Sequence, residues 1–104
     1  MAHEVIFAPE ALADLTALYD HIAGEASPER ALAYVERIQR HCLAFATFPA
    51  RGTRRDDLRP GLRTVGYQRR VTIAFHVTAS TVVIDRLLYG GRDVEGLLRD
   101  DGDG

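Results

Sequence analysis

The spacing of apolar residues in this chain switches from strand to helix and back. Residues 3–8, HEVIFA, are a short apolar run that predicts a first strand. Ala8-Pro9 then signals a helix start, because proline fits the first helical position and Glu10 lies near the positive end of the helix dipole. Leu12, Leu15, Leu18/Tyr19 and Ile22 recur every three to four residues, the stripe of an amphipathic helix that Gly24 is expected to end. Ser27-Pro28 repeats the start signal, with Ser27 as the cap. Ala31, Val35, Ile38, Cys42 and Phe45 form a second stripe, closed at Pro49. A short link joins the two helices, which predicts an antiparallel hairpin.

Residues 49–61 hold Pro49, Gly52, Pro60 and Gly61 among charged residues and read as a loop. The period then falls to two. Leu62–Tyr67, Arg70–Val77 and Thr81–Tyr89 are rich in Val, Ile, Thr and aromatic residues and predict three strands. Val71, Ile73, Phe75 and Val77 alternate with polar or small residues, so that strand has one core face. Links at Gln68-Arg69 and Thr78–Ser80 suit two hairpins in a meander. Gly90-Gly91 leaves the last strand, and Asp93 can cap a final helix over 94–99. The order is β-α-α-β-β-β with a short C-terminal helix. It predicts an α+β fold in which the helical hairpin packs on a mostly antiparallel sheet. Residues 1–99 make one domain, and 100–104 an acidic tail expected to be disordered.

Composition narrows the class. With 104 residues the chain supports one core. No apolar run reaches the roughly 18 residues of a membrane helix, and the N-terminus lacks the pattern of a signal peptide. Cys42 is the single cysteine, so no internal disulfide forms and a cytoplasmic location is expected. The net charge of −2 includes three acids of the tail, so the body is near neutral. Every basic residue is arginine. Seven of the 13 (Arg51, Arg54, Arg55, Arg59, Arg63, Arg69 and Arg70) crowd into one segment. Such a cluster either reads phosphate or carboxylate groups or is a solvated loop partly neutralised by Asp56 and Asp57.

Candidate chemistry is sparse. His3, His21, His41 and His76 lack metal-ligand spacing, and neither a metal nor a cofactor is expected. Cys42 lies on an apolar stripe and reads as a structural thiol. The stretch YGGRD has neither the later glycine of a dinucleotide fingerprint nor the Lys-Ser/Thr of a phosphate loop. A metal-free ribonuclease needs a base, an acid and cations around one phosphate. Tyr89, His76, Arg63, Arg70 and Arg86 have suitable groups, but neighbouring strand residues face opposite sides of a sheet. Leu18, Tyr34 and His41 flank the two helical stripes. They either broaden the core or widen the apolar band into a groove for a partner helix.

Taken in order, several residues resemble the ParE branch of the RelE/ParE superfamily, toxins of bacterial type II toxin–antitoxin pairs. These are Ala11 with Asp14-Leu15 and Ile22, then Ala31, Tyr34 and Ile38, then Pro49 with Gly52, and Gly61-Leu62-Arg63. VTIAFHV and TVVIDRLLYGGRD follow. Tyr89-Gly90-x-Arg92-Asp93 is similar to the His-Gly-x-Arg-Asp ending of that branch, with tyrosine in place of histidine. The resemblance covers about residues 4–96 and implies one of two activities. ParE-like toxins poison DNA gyrase without being enzymes; RelE-like relatives cut mRNA on the ribosome. Thr72 stands where the latter carry an arginine, and the chain is acidic overall, so the gyrase-type reading is favoured. The resemblance implies target contact through Arg86, Tyr89, Arg92 and Asp93. For a ribonuclease, the catalytic set would be Tyr89, Arg63, His76 and Arg86. It also implies a ParD-like ribbon-helix-helix antitoxin that wraps the hairpin, for which Leu18, Tyr34 and His41 are candidate contacts. DNA would be met only through that antitoxin complex, and no membrane is expected as a partner.

Overall fold

The computed structural model describes residues 3–90 and 94–99. Strand β1 (Glu4–Phe7) leads into helix α1 (Pro9–Glu25) and helix α2 (Pro28–Leu43). Both helices begin at the predicted prolines, and Ser27 Oγ accepts the Arg30 N–H as the N-cap of α2. Their ends differ from the sequence reading. Gly24 lies inside α1, which runs one residue further. Helix α2 stops at Leu43 rather than near Pro49, tightening into a 3₁₀ turn at Ala44–Ala46. Arg51 secures that turn by donating to the carbonyls of Phe48 and Ala44 at 2.7 and 3.3 Å.

The predicted loop contains a two-residue strand, β2 (Thr53–Arg54), followed by β3 (Arg63–Tyr67), β4 (Val71–Val77) and β5 (Thr81–Tyr89). A short helix, α3 (Val94–Leu98), comes last. The sheet order is β1-β5-β4-β3-β2, antiparallel except where β1 lies parallel to β5. The α+β architecture predicted from the residues is therefore borne out, with one extra edge strand. Gln68 and Arg69 both adopt positive φ (53° and 59°), the backbone of a tight two-residue hairpin. Gly52 also has positive φ, and a Cβ there would lie 2.3 Å from the Thr64 carbonyl, so the approach of β2 to β3 requires glycine.

Two apolar clusters hold the layers together. Leu15, Leu18, Tyr34, Ile38, Cys42 and Phe45 meet Ile73, Phe75, Val82, Ile84 and Leu87 between the hairpin and the sheet. On the other face, Leu58, Leu62, Ala74, Leu88 and Leu98 pack together, so the loop before β3 and helix α3 cover part of the sheet. Leu15 and Leu18 are buried as the α1 stripe predicted, but the stripe begins one position earlier. Ala11 is buried and Leu12 is half exposed, because a methyl side chain lets the helix approach the sheet closely.

Candidate functional site

The last strand organises the polar chemistry. Opposite β4, Ala74 pairs with Arg86 but Phe75 pairs with Ile84, so Asp85 is an extra, bulged residue. Beyond the bulge, β5 has outrun β1, whose last partner is Ile84. Helix α1 supplies the missing acceptor there. Asp14, buried at 8% exposure, takes the Leu87 N–H at 2.8 Å, and Arg86 donates Nε and Nη2 to the same carboxylate at 2.8 and 3.0 Å. The hydrogen bonds to Asp14 push the Arg86 guanidinium further above its ordinary range. Arg86 is thus committed to holding the strand end to the hairpin. The sequence signal for this lock was a charged residue, Asp14, next to Leu15 on the helix stripe.

Asp85 shares the face of Val83, the cross-strand partner of His76, and His76 Nδ1 lies 2.7 Å from Asp85 Oδ2. His76 shares its face with Ala74, away from the helical hairpin, whereas Tyr89 packs on the hairpin side against His21 with ring centroids 5.3 Å apart. Tyr89 pairs with Val71 at one end of β4 and His76 lies at the other, roughly 17 Å away along the strand. Arg63, between β4 and β2, faces the hairpin side and donates to the Arg51 carbonyl at 3.2 Å. The four groups of the ribonuclease reading therefore do not surround one point. Arg92 and Asp93 lie outside the described residues.

Two of the seven arginines in the arginine-rich segment are neutralised by nearby acids. Arg54 pairs with Asp56, and Arg55 grips Asp57 and Glu95, tying the loop to α3. The Gly61 N–H lowers the Asp56 pKa, and Arg55 lowers that of Asp57. Of the three residues offered for partner binding, Leu18 (4% exposed) and Tyr34 (9%) belong to the core. The apolar surplus lies elsewhere, because helical geometry turns Leu12, Leu32 and Leu43 outward. His41 is half buried between the rings of Phe45 and Tyr67. Burial, and to a lesser degree Arg51, lowers its pKa. Burial pushes the Cys42 thiol up to about 12, which leaves almost no nucleophilic thiolate.

Two surface features remain. A shallow groove on the outer face of the hairpin is lined by Leu12, Leu15, Thr16, Tyr19, Val35 and Gln39. It adjoins a second depression at Phe7, Gln39 and Leu43. A deeper groove of about 460 Å³ opens where α2 begins and β5 ends. Among the described residues, no cluster of three or more His, Cys, Asp or Glu could hold a metal ion, and no helix is long and apolar enough to cross a membrane.

Comparison with known proteins agrees with this architecture. Residues 5–94 match the family model of the ParE toxin of type II toxin–antitoxin systems, parDE. A solved chain from the chromosomal ParDE toxin–antitoxin system of P. aeruginosa superposes with a TM-score of 0.75 at 28% identity. The match covers 85% of this chain and 96% of that one. None of the curated protein sequences matches. The fold class is thus that of a small helical-hairpin-on-sheet toxin. The chain belongs to the ParE toxin family, and it is a toxin of a type II toxin–antitoxin system, as its residues led us to expect.

Proposed function

We propose that this toxin arrests growth by binding DNA gyrase directly and that a ParD-type antitoxin silences it. The observation that carries the gyrase reading over RNA cleavage is the dispersal of the candidate catalytic groups. Arg86 is occupied by Asp14, while His76 and Tyr89 stand on opposite faces and at opposite ends of β4. A binding toxin has no need of such a convergent set.

Target contact falls to the end of β5, at Tyr89 with Arg92 and Asp93, and Arg86 acts by positioning that end through Asp14. The antitoxin lays an apolar helix into the outer groove of the hairpin, where Leu12, Tyr19 and Val35 offer a surface at helical spacing. His41 is on the other face of α2, against Tyr67 of β3, where an antitoxin segment passing from the hairpin to the sheet would meet it. An extended antitoxin segment has an edge to pair with at Val65–Tyr67, which β2 is too short to cover. Expression alone should arrest growth with filamentation and a DNA-damage response, and coexpression of the antitoxin should relieve it. Arrest with mRNA cut at the ribosomal A site would overturn the gyrase reading.

A further inference from the structure

We infer that the groove between the start of α2 and the end of β5 is an oxyanion site that takes the phosphoryl group of a nucleotide-sized ligand. Arg30 and Arg37 reach it from α2, Arg70 from the β3–β4 hairpin, and Tyr34 and Tyr89 line it, with no carboxylate among the described residues of its walls. Its volume of about 460 Å³ falls in the range of small-molecule sites, roughly 300–1,000 Å³.

Arg54, Arg55 and Arg86 are ion-paired, and Arg51 and Arg63 donate to backbone carbonyls. The guanidinium groups of Arg30, Arg37 and Arg70 make no hydrogen bond or ion pair with any described residue; Arg37 only approaches the Tyr34 ring, 5.8 Å from its centroid. The side chains of Arg40, Arg59 and Arg69 likewise make no hydrogen bond or ion pair with a described residue, but Arg30, Arg37 and Arg70 meet in one groove. Three cations gathered without a counter-charge repel one another, and an anion between them removes that cost. The beginning of α2, a 16-residue helix, adds its positive dipole end.

Tyr34 supplies the second, independent sign. Its side chain is nine-tenths buried, yet its hydroxyl has no hydrogen-bond partner among the described residues. Buried hydroxyls are nearly always bonded, and exceptions mark strain or a ligand position. Burial raises its pKa, so the group stays a neutral O–H donor. Three guanidinium forks offer more donors than the two oxygens of a carboxylate can use, whereas a terminal phosphoryl group presents three; the Tyr34 hydroxyl, sealed from solvent, joins them when the side chains covering it move aside. Tyr89 and Ile22 give an apolar wall beside this cluster. The site suits a discrete ligand rather than a nucleic-acid strand, because its three arginines line one bounded groove, whereas Arg54 and Arg55 of the neighbouring loop are held by Asp56, Asp57 and Glu95.

The test is titration of the full chain with inorganic phosphate, with AMP and with acetate at constant ionic strength, read by calorimetry and by NMR of the arginine Nε–H groups. Phosphate and AMP should shift the Arg30, Arg37 and Arg70 signals, with AMP the tighter, and acetate should not. Arg70→Gln should weaken AMP binding about tenfold. Tyr34→Phe should weaken it with no loss of thermal stability. Equal response to acetate, unchanged affinity in Arg70→Gln, or a single-stranded oligonucleotide binding far more tightly than AMP with a steep salt dependence would each overturn the proposal.

Discussion

Asp14 of α1 and Arg86 of β5, 72 residues apart, form a two-pronged ion pair at 2.8 and 3.0 Å, and the same carboxylate accepts the Leu87 N–H. One side chain thereby closes an open sheet edge and fastens the helical hairpin to the strand that ends at Tyr89. Removing the carboxylate strands a backbone donor and a cation together. Asp14→Ala should cost about 3 kcal/mol, the low end for breaking a buried pair, since the Arg86 side chain is 22% exposed. Arg86→Met should cost less, and Asp14→Leu with Arg86→Met should recover much of the loss, because no uncompensated charge then remains. Urea denaturation of the three variants checks this. Single variants within about 0.5 kcal/mol of wild type would show that the pair contributes little.

Tyr34→Phe should behave oppositely. Its hydroxyl is buried without a partner among the described residues, so deleting it should leave stability unchanged or raise it by up to about 1 kcal/mol. Thermal unfolding gives the answer directly. A clear loss would mean that the hydroxyl is bonded in solution.

His41 should impose a pH dependence. Burial lowers its folded-state pKa below 6.5, so between the two values the unfolded chain binds more protons. Stability is therefore complete above pH 6.5 and falls as the pH drops through that value toward the folded pKa. His41→Gln should flatten the stability profile between pH 7 and pH 5, measured by denaturant midpoints at each pH. An unchanged slope would place the effect elsewhere.

Tyr89 lies at the strand end that the Asp14 lock presents. Tyr89→Ala should weaken toxicity while leaving the fold and antitoxin binding largely intact, scored by growth on induction and by copurification with the antitoxin. Equal loss of both activities would make this corner structural.

Much of this architecture was legible in the residues, for local reasons. Pro9 and Ser27-Pro28 start helices by rules that need no tertiary context, and the alternation at Val71, Ile73 and Phe75 marks a core face by itself. What was not legible depends on layers meeting. The bulge at Asp85 breaks the alternation of β5, and that is what returns Leu87 and Tyr89 to the hairpin face of Val82 and Ile84. The close approach of Ala11 moves the buried stripe away from Leu12 and turns that leucine to the surface. Leu18 and Tyr34 flank the stripes in sequence, yet the breadth of the sheet takes them into the core. The arginine cluster looked like one charged surface, but Arg54 and Arg55 pair with neighbouring acids and Arg51 and Arg63 turn to backbone carbonyls. The arginines gathered at the groove come from two stretches far apart in sequence, helix α2 and the β3–β4 hairpin.

The central claim is that this ParE toxin acts by binding gyrase. The most direct measurement is a supercoiling and DNA-cleavage assay with purified toxin and gyrase from the organism that carries it. We predict loss of supercoiling and accumulation of cleaved DNA, both abolished by prior addition of the antitoxin. Unimpaired supercoiling and no cleaved DNA, at toxin concentrations that arrest growth, would contradict it.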